Sequence, residues 1–481
     1  MAYSSITKPT DHFNTVLYTG NGNSPLAITG VGFQPDWVWI KARTTADYNH
    51  MLFDAVRGAT KYVKSDTTSA ENTIAETLKS FDSDGFTLGN QAYTVNDNTI
   101  PFASWNWLAA GTTPSQTYTV KVVSDGGNKY RFDDYGTSAV TLDLQEGGTY
   151  TFDGSDSSMA SHPIKLSETS NGTHGGGSSY NTGVTYQLDG SSVTESAYVS
   201  GYSSASSRKL IITVAASAPT LYYYCHYHSG MGGQVNTNST HGSSNFSGSM
   251  QANVSVNTTA GFSVATFTAS GSGDESFGHG LGAKPKVMFL KSRSNSGSWG
   301  VYHENTDASA PEDDYLNLNG TAAKADLAGV FGAGMTSSVA GVGVGVGFTS
   351  GHTYVGYCFA EKKGFSKFGS YVGNNSTDGT FIYTGFKPAW VLLKIYSGTT
   401  GAWTLFDNKR DPFNEVDNRL FPDTYGAESD GNDCDFLSNG FKHRTTGSGT
   451  NGNGYSYIYM AFAENPFVAN DSGTAVPVTA R

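Results

Sequence analysis

The sequence predicts an all-β protein: three tandem-related β-sandwich units of jelly-roll-like form, with a further sandwich inserted between the first and second. Three observations predict it. The 481 residues include 59 glycines, 28 tyrosines and 27 phenylalanines, while only 15% are charged. That balance suits short strands joined by tight glycine turns, and not long surface helices, whose faces need Ala, Glu, Lys, Leu and Arg. Apolar residues alternate with period two, the mark of a strand with two distinct faces. One ordered set of motifs also occurs three times along the chain.

The first unit, residues 1–113, contains "GFQPDWVWIKAR", "MLFDAVRG", "DGFTLG" and "PFASWNWLAAG". Its Gly-x-x-Pro turn launches a strand with Trp37, Trp39 and Lys41 on one face and Val38 and Ile40 on the other. The second unit, 260–364, is looser: "GAKPKVMFLKSR", "GVYHENT", "VGFTSG" and "TYVGYCFAEKKG". The third, 365–481 with the C-terminal tail, returns to the pattern with "GFKPAWVLLKIY", "TLFDNKRD", "NGFKHR" and "YSYIYMAFAE". A lysine stands six positions after the proline in every copy: Pro35 and Lys41, Pro285 and Lys291, Pro388 and Lys394. Units of about 100 residues are the size of single sandwiches. The second and third meet at Lys363-Gly364-Phe365, which predicts rigid end-to-end packing.

Little in these units reads as catalytic. Asp54 and Arg57, like Asp407 and Arg410, invite a catalytic reading. The second copy lacks the pair and no nucleophile accompanies it, so a turn aspartate with an arginine that holds two strands together is the better account. Glu312, Asp313 and Asp314 read as an exposed acidic loop rather than a glycosidase pair. "AGVGVGVGF" (340–348) reads as a strand with one face close to another backbone. There is no G-x-S-x-G elbow, H-E-x-x-H helix or P-loop.

Charge and hydropathy narrow the classes further. The formal charge is −12 with no basic cluster, which argues against binding nucleic acid through its phosphates. No apolar run approaches the roughly 18 residues of a membrane span. The start lacks a basic end followed by an apolar core, so the expected route out of a cell is lysis or release within a particle. Of three cysteines, Cys225, Cys358 and Cys434, Cys358 reads as a small buried hydrophobe and Cys434 as a turn residue without a partner. An odd, sparse count does not suit a disulfide scaffold.

Cys225 alone has company. It lies in the inserted segment, 114–238, followed by a Ser/Asn/Gly-rich stretch, 239–259, expected to be a linker. "EGGTYTF", then "SHPIKL", then "PTLYYYCHYHSGMGG" resembles the cupredoxins, the small β-sandwich copper proteins. The resemblance implies a Greek-key sandwich and, position by position, the copper ligands His162, Cys225, His228 and Met231. The C-x-x-H-x-x-M spacing matches the shorter-loop members. Two imidazoles and a thiolate in a plane with a weak thioether would make a blue-copper site. The plain alternative is that Cys225 and Met231 fill the end of a core while His162 and His228 hydrogen-bond across it. His174 and His226 are expected at the surface, His174 within the long, flexible-looking stretch 168–183.

The repeats themselves, with "GFSKFGSYVGNNSTDGTFIYTGFKPAWVLLK" and the terminal "YIYMAFAENPF", resemble proteins of marine tailed bacteriophages, particularly those infecting cyanobacteria. The resemblance implies a non-enzymatic virion structural protein: tail-associated, fibre or capsid-decorating, located in the virion. Its implied partners are other virion proteins, further copies of itself in a homo-oligomer, and a host cell-surface glycan or protein. The "MAYSSITKPTDHFNT" arm then reads equally as an attachment to the particle or as an ordinary leading strand. A copper-binding module on a structural scaffold is the second reading, and a tail polysaccharide-degrading enzyme the third.

Overall fold

The alternating segments are strands in the computed structural model, which describes residues 4, 6–271, 273–332, 334–343, 345–431, 434–466, 468–471 and 474–477. Among the described residues the only α-helices are Glu195–Gly201 and Ser448–Asn451. The fold is all-β and built of sandwiches, as the composition predicts. The chain forms two compact units: Met1–Ala109 with Val256–Arg481, and Ala110–Ser255.

In the first unit each repeat builds a sheet with the same strand order. The first repeat orders Phe13–Thr19, Pro101–Trp107, Trp37–Ala42 and Met51–Asp54; the second orders Phe262–Thr268, Thr353–Phe359, Val287–Ser292 and Gly300–His303. The third orders Ser366–Val372, Ser456–Pro466, Phe386–Ser397 and Thr404–Asp407. One face of each sheet packs on a small sheet of its own repeat: Val38, Ile40 and Phe53 pack with Leu78, Phe86 and Leu88, and Val391, Leu393 and Phe406 with Phe436 and Phe441.

The other face enters one core common to all three repeats. Trp37, Trp39, Trp105 and Trp107 of the first meet Phe262, Phe289, Tyr357 and Phe359 of the second, and Trp390, Leu392 and Phe462 of the third. Ring centroids lie 4.6 Å apart for Trp37 and Tyr357, 5.6 Å for Trp107 and Trp390, and 6.0 Å for Phe359 and Phe462. The expected end-to-end packing is therefore corrected. Both faces of each alternating strand are apolar, so each sheet is covered on both sides, and the second face finds its cover only in the neighbouring repeats.

The spaced lysines close the seams. Lys41, Lys291 and Lys394 are all buried, and each donates to a backbone carbonyl of another repeat. Lys41 reaches Tyr425 (3.3 Å), Lys291 reaches Thr68 (3.0 Å) and Lys394 reaches Gly320 (3.4 Å). Burial pulls each ammonium down to about 8. The Asp–Arg pairs work alongside them. Buried Asp54 binds Arg57 and accepts from Tyr357 of the second repeat (2.7 Å); buried Asp407 binds Arg410 (2.6 Å) and accepts from Trp105 of the first (3.1 Å). The pairs thus join repeats as well as strands.

Other expectations change with tertiary context. Asp314 is buried and paired with Lys324 (2.5 Å), so the carboxylate run is not uniformly an exposed loop. Cys434 opens the strand Cys434–Leu437 inside the third repeat's core rather than an exposed turn. Cys358 is buried, as its alternating neighbours predict. Gly341 does approach another backbone: a Cβ there would lie 2.0 Å from the Phe331 carbonyl oxygen. Val344 of the same run, residues 1–3 and 5 of the arm, and 467, 472, 473 and 478–481 of the tail lie outside the described residues. The arm continues through buried Ile6 into the strand Phe13–Thr19.

The second unit has a six-stranded and a four-stranded sheet around a tyrosine-rich core that includes Tyr118, Tyr130, Tyr150, Tyr198, Tyr202 and Tyr223. The segment expected to be a linker belongs partly to it. Ser243–Asn245 pairs with the strand Ala252–Asn257, and Phe246 is buried in the tyrosine core. The single phenylalanine anchors a stretch whose composition otherwise reads as a spacer.

Candidate metal centre

Strand register brings the remote histidine to the cysteine. Leu221–Cys225 pairs antiparallel with Ile164–Ser167, and Cys225 stands opposite Ile164. The backbone N–H of His226 donates to the Pro163 carbonyl (2.9 Å), extending the ladder by a step and setting His162 beside the thiol. His228 returns from the turn three residues after Cys225. The Cys225 Sγ then lies 3.8 Å from Nδ1 of His162 and 3.5 Å from Nδ1 of His228. The two imidazole centroids are 4.6 Å apart, and the three potential ligand atoms lie within 4.8 Å of one another. Cys225 is fully buried, His162 is 8% exposed and His228 is exposed. Met231 is buried in the same core as Cys225.

The loop that supplies these groups is braced from both sides. Asn171 accepts from the Gly230 N–H (2.8 Å) and donates to Ser229 Oγ (2.8 Å). Tyr130 donates to the His162 carbonyl (3.0 Å), and its own N–H donates to the Met231 carbonyl (3.0 Å). Gly232 is required sterically, because a Cβ there would stand 1.7 Å from the Tyr223 carbonyl oxygen.

Electrostatics favour the ligand form of His162. Burial, with the neighbouring charge of His228, holds its imidazole below the usual histidine range, so its nitrogen lone pair is available at neutral pH. The donor set also fits a soft or borderline ion. At zinc's bond lengths, about 2.0 Å to nitrogen and 2.3 Å to sulfur, S···N separations of about 3.5–3.7 Å follow for tetrahedral to trigonal angles. His162, Cys225 and His228 stand close to those separations.

His174 is the residue that sequence reasoning missed. It is exposed, as expected, yet it donates from Nε2 to the Cys225 carbonyl (3.1 Å). The stretch around it is ordered by the 3-10 turn Gly172–Gly175 and by Tyr180, whose N–H donates to Leu166 (2.7 Å). Its glycine-rich composition carries no signal of this. His226 is half-buried rather than a surface residue, with its Nδ1 shielded from solvent.

A sequence-family model described as "Domain of unknown function (DUF7483)" matches residues 8–127 and 236–466. The chain belongs to the DUF7483 family. The DUF7483 match takes in the repeats of the first unit, whereas His162, Cys225, His228 and Met231 all fall in the stretch between the two matched segments. No curated protein and no solved structure matches this DUF7483 chain.

Proposed function

We propose that this protein is a non-enzymatic virion structural component of a tailed bacteriophage, tail-associated, fibre or capsid-decorating, whose inserted sandwich binds copper. The observation that carries the structural role is the common core of the first unit. Three repeats share one interior and exchange lysine and aspartate contacts at their seams, an arrangement suited to a rigid scaffold. The sequence resemblance supplies the particle. Assembly with other virion proteins, homo-oligomerisation and contact with a host-surface glycan or protein belong to the same reading. The test is the place of the chain in a density map of the intact particle. Symmetric copies on the head support decoration and copies at the tail support host contact; absence from purified particles removes the reading.

The convergence of three donor groups favours a second role for the insert. Here Cys225 supplies a thiolate, His162 and His228 supply imidazoles, and buried Met231 offers a thioether. A copper ion held by these residues would supply one-electron redox chemistry. The protein's part is to keep His162 neutral, shield the sulfur and fix the loop through Asn171. Copper titration of the purified chain is expected to give one equivalent and an intense visible charge-transfer band that Cys225→Ser abolishes. No colour and no stoichiometric copper would remove this role and leave the structural one standing.

A further inference from the structure

The second unit holds a lysine, a carboxylate and an amide in one hydrogen-bonded row. Lys165 lies on the strand Ile164–Ser167 of the four-stranded sheet, and only 2% of it is exposed. Strand register sets it opposite Tyr224, whose ring centroid stands 5.7 Å from Nζ. The chain then turns back on this strand: the Tyr180 N–H donates to the Leu166 carbonyl (2.7 Å) and the Ser167 hydroxyl to the Ser178 carbonyl (2.7 Å). Those two bonds return Asn181 to the strand that carries Lys165. Glu195, the first residue of the helix Glu195–Gly201, joins the two. Its Oε1 contacts Lys165 Nζ, and its Oε2 accepts from Asn181 Nδ2 (2.8 Å). Tyr186, buried on the strand Val184–Leu188 of the six-stranded sheet, donates to Asn181 Oδ1 (2.9 Å). A carboxylate can only accept, so the amide must turn Nδ2 to Glu195 and Oδ1 to Tyr186.

An ion pair would be complete with Lys165 and Glu195 alone. Here an amine and the nitrogen of an amide rest on the two oxygens of one carboxylate, and the amide oxygen meets a hydroxyl donor. Nucleophile, proton carrier, leaving group and oxyanion donor are the parts that acyl transfer requires. Burial would raise the Glu195 carboxyl, but its bonds from Lys165, Asn181 and Ser179 hold it below the usual carboxylate range. It therefore stands ionised, in the form that accepts a proton. A carboxylate so held is a weak base and the reaction is correspondingly slow, but a single turnover suffices. Asn181 is exposed, which gives a small leaving group its way out.

We infer that Lys165 and Asn181 join in an isopeptide bond, with Glu195 carrying the protons and Tyr186 holding the oxyanion. Glu195 takes one proton from the Lys165 ammonium, and the freed lone pair adds to Cγ of Asn181, whose C=O pair moves onto Oδ1. Glu195 passes that proton to Nδ2 and takes a second from Nζ. The Oδ1 pair then restores the carbonyl and expels Nδ2 as ammonia, which carries off the second proton as ammonium. One Nζ–Cγ bond forms, the Cγ–Nδ2 bond breaks, and no oxidant or co-reactant enters. The product staples a strand of the four-stranded sheet to the chain entering the six-stranded one. It also closes the stretch that carries His174, the residue on the Cys225 carbonyl, into a ring. The inference goes beyond the virion and copper readings and depends on neither.

The experiment is intact-mass spectrometry of the full chain, on purification and during incubation at neutral pH until the mass is constant. The expected result is a mass lower by one ammonia than the sequence requires. Chymotrypsin, which cuts after Leu166 and Tyr180, should then release a branched peptide that joins Lys165 to Asn181. Asn181→Ala, at an exposed position, and Lys165→Arg are both expected to keep the full mass. Glu195→Gln is expected to do the same, and Tyr186→Phe to slow the loss about a hundredfold. The inference is overturned by a mass that never changes or by ammonia loss that persists in Asn181→Ala. Ammonia loss without the branched peptide, the mark of ring closure on the backbone, also overturns it. Should Lys165→Arg fail to fold, Asn181→Ala and the branched peptide decide.

Discussion

The buried charges of the first unit and the buried thiol of the inserted second unit meet their surroundings in different ways. In the first, each buried charge reaches an acceptor or counter-ion, commonly in another repeat: Lys41 at Tyr425, Lys291 at Thr68, Arg57 at Asp54 and Tyr357. In the second, buried Lys165 likewise pairs with Glu195, but the buried thiol of Cys225 faces two imidazole nitrogens at 3.5 and 3.8 Å. The difference separates polar groups that cement an interior from a cluster of His162, Cys225 and His228 that could hold a metal ion. Four measurements can break or sharpen that contrast.

The largest effect belongs to the shared core. Trp37→Ala removes a fully buried ring that touches Trp39, Trp107 and Tyr357, and is expected to cost about 3–5 kcal/mol. Chemical denaturation should show the loss in the first unit, while copper binding at Cys225 persists. Equal loss of copper binding would mean that the two units are not independent. Next, Arg410→Ala strands the buried Asp407 carboxylate and is expected to cost about 3–5 kcal/mol. A cost below about 1 kcal/mol would show that the seam pairs are dispensable.

Acid acts on a smaller scale. Burial holds His279 and His303 down at about 4 and His443 at about 3. Folding therefore favours their neutral forms, so the stability they contribute is fully present above the unfolded histidine value near 6.5. It is lost as pH falls from there through about 4, at about 1.4 kcal/mol per pH unit for each histidine. Denaturation midpoints at pH 7 and pH 5 should differ accordingly, and His443→Leu should flatten the slope; an unchanged slope would exclude that histidine. The smallest stability effect is expected at the metal loop. Asn171→Ala, at a left-handed position (φ 61°), should cost about 1 kcal/mol, and weaken copper binding by loosening the turn at Ser229 and Gly230; 10- to 100-fold is the usual scale for such a supporting contact.

How far the sequence reveals this depends on how local each contact is. Strands are legible because alternation is local, and Trp37, Trp39 and Lys41 do share a face. The fate of that face is not legible, because its cover comes from repeats hundreds of positions away; the Lys41–Tyr425 contact spans 384 residues. A lysine in such a strand reads as an exposed end of the pattern until the carbonyls that receive it are in place. In the insert, Cys225, His228 and Met231 are legible from their spacing. His162 needs the resemblance, because only strand register brings it to the thiol. His174 acts through a backbone carbonyl and leaves no pattern at all, and Phe246 is too isolated among serines and asparagines to announce a buried strand.

The common core also sets an order of events during synthesis. The first repeat leaves the ribosome with Trp37, Trp105 and Trp107 on a face that its own residues cannot cover. The second repeat supplies Tyr357 and Phe359, but Phe462 belongs to the third repeat and is made after both. Until the third repeat is made, a broad aromatic surface therefore waits open, and the chain with only two repeats complete is the one in danger of sticking to its neighbours.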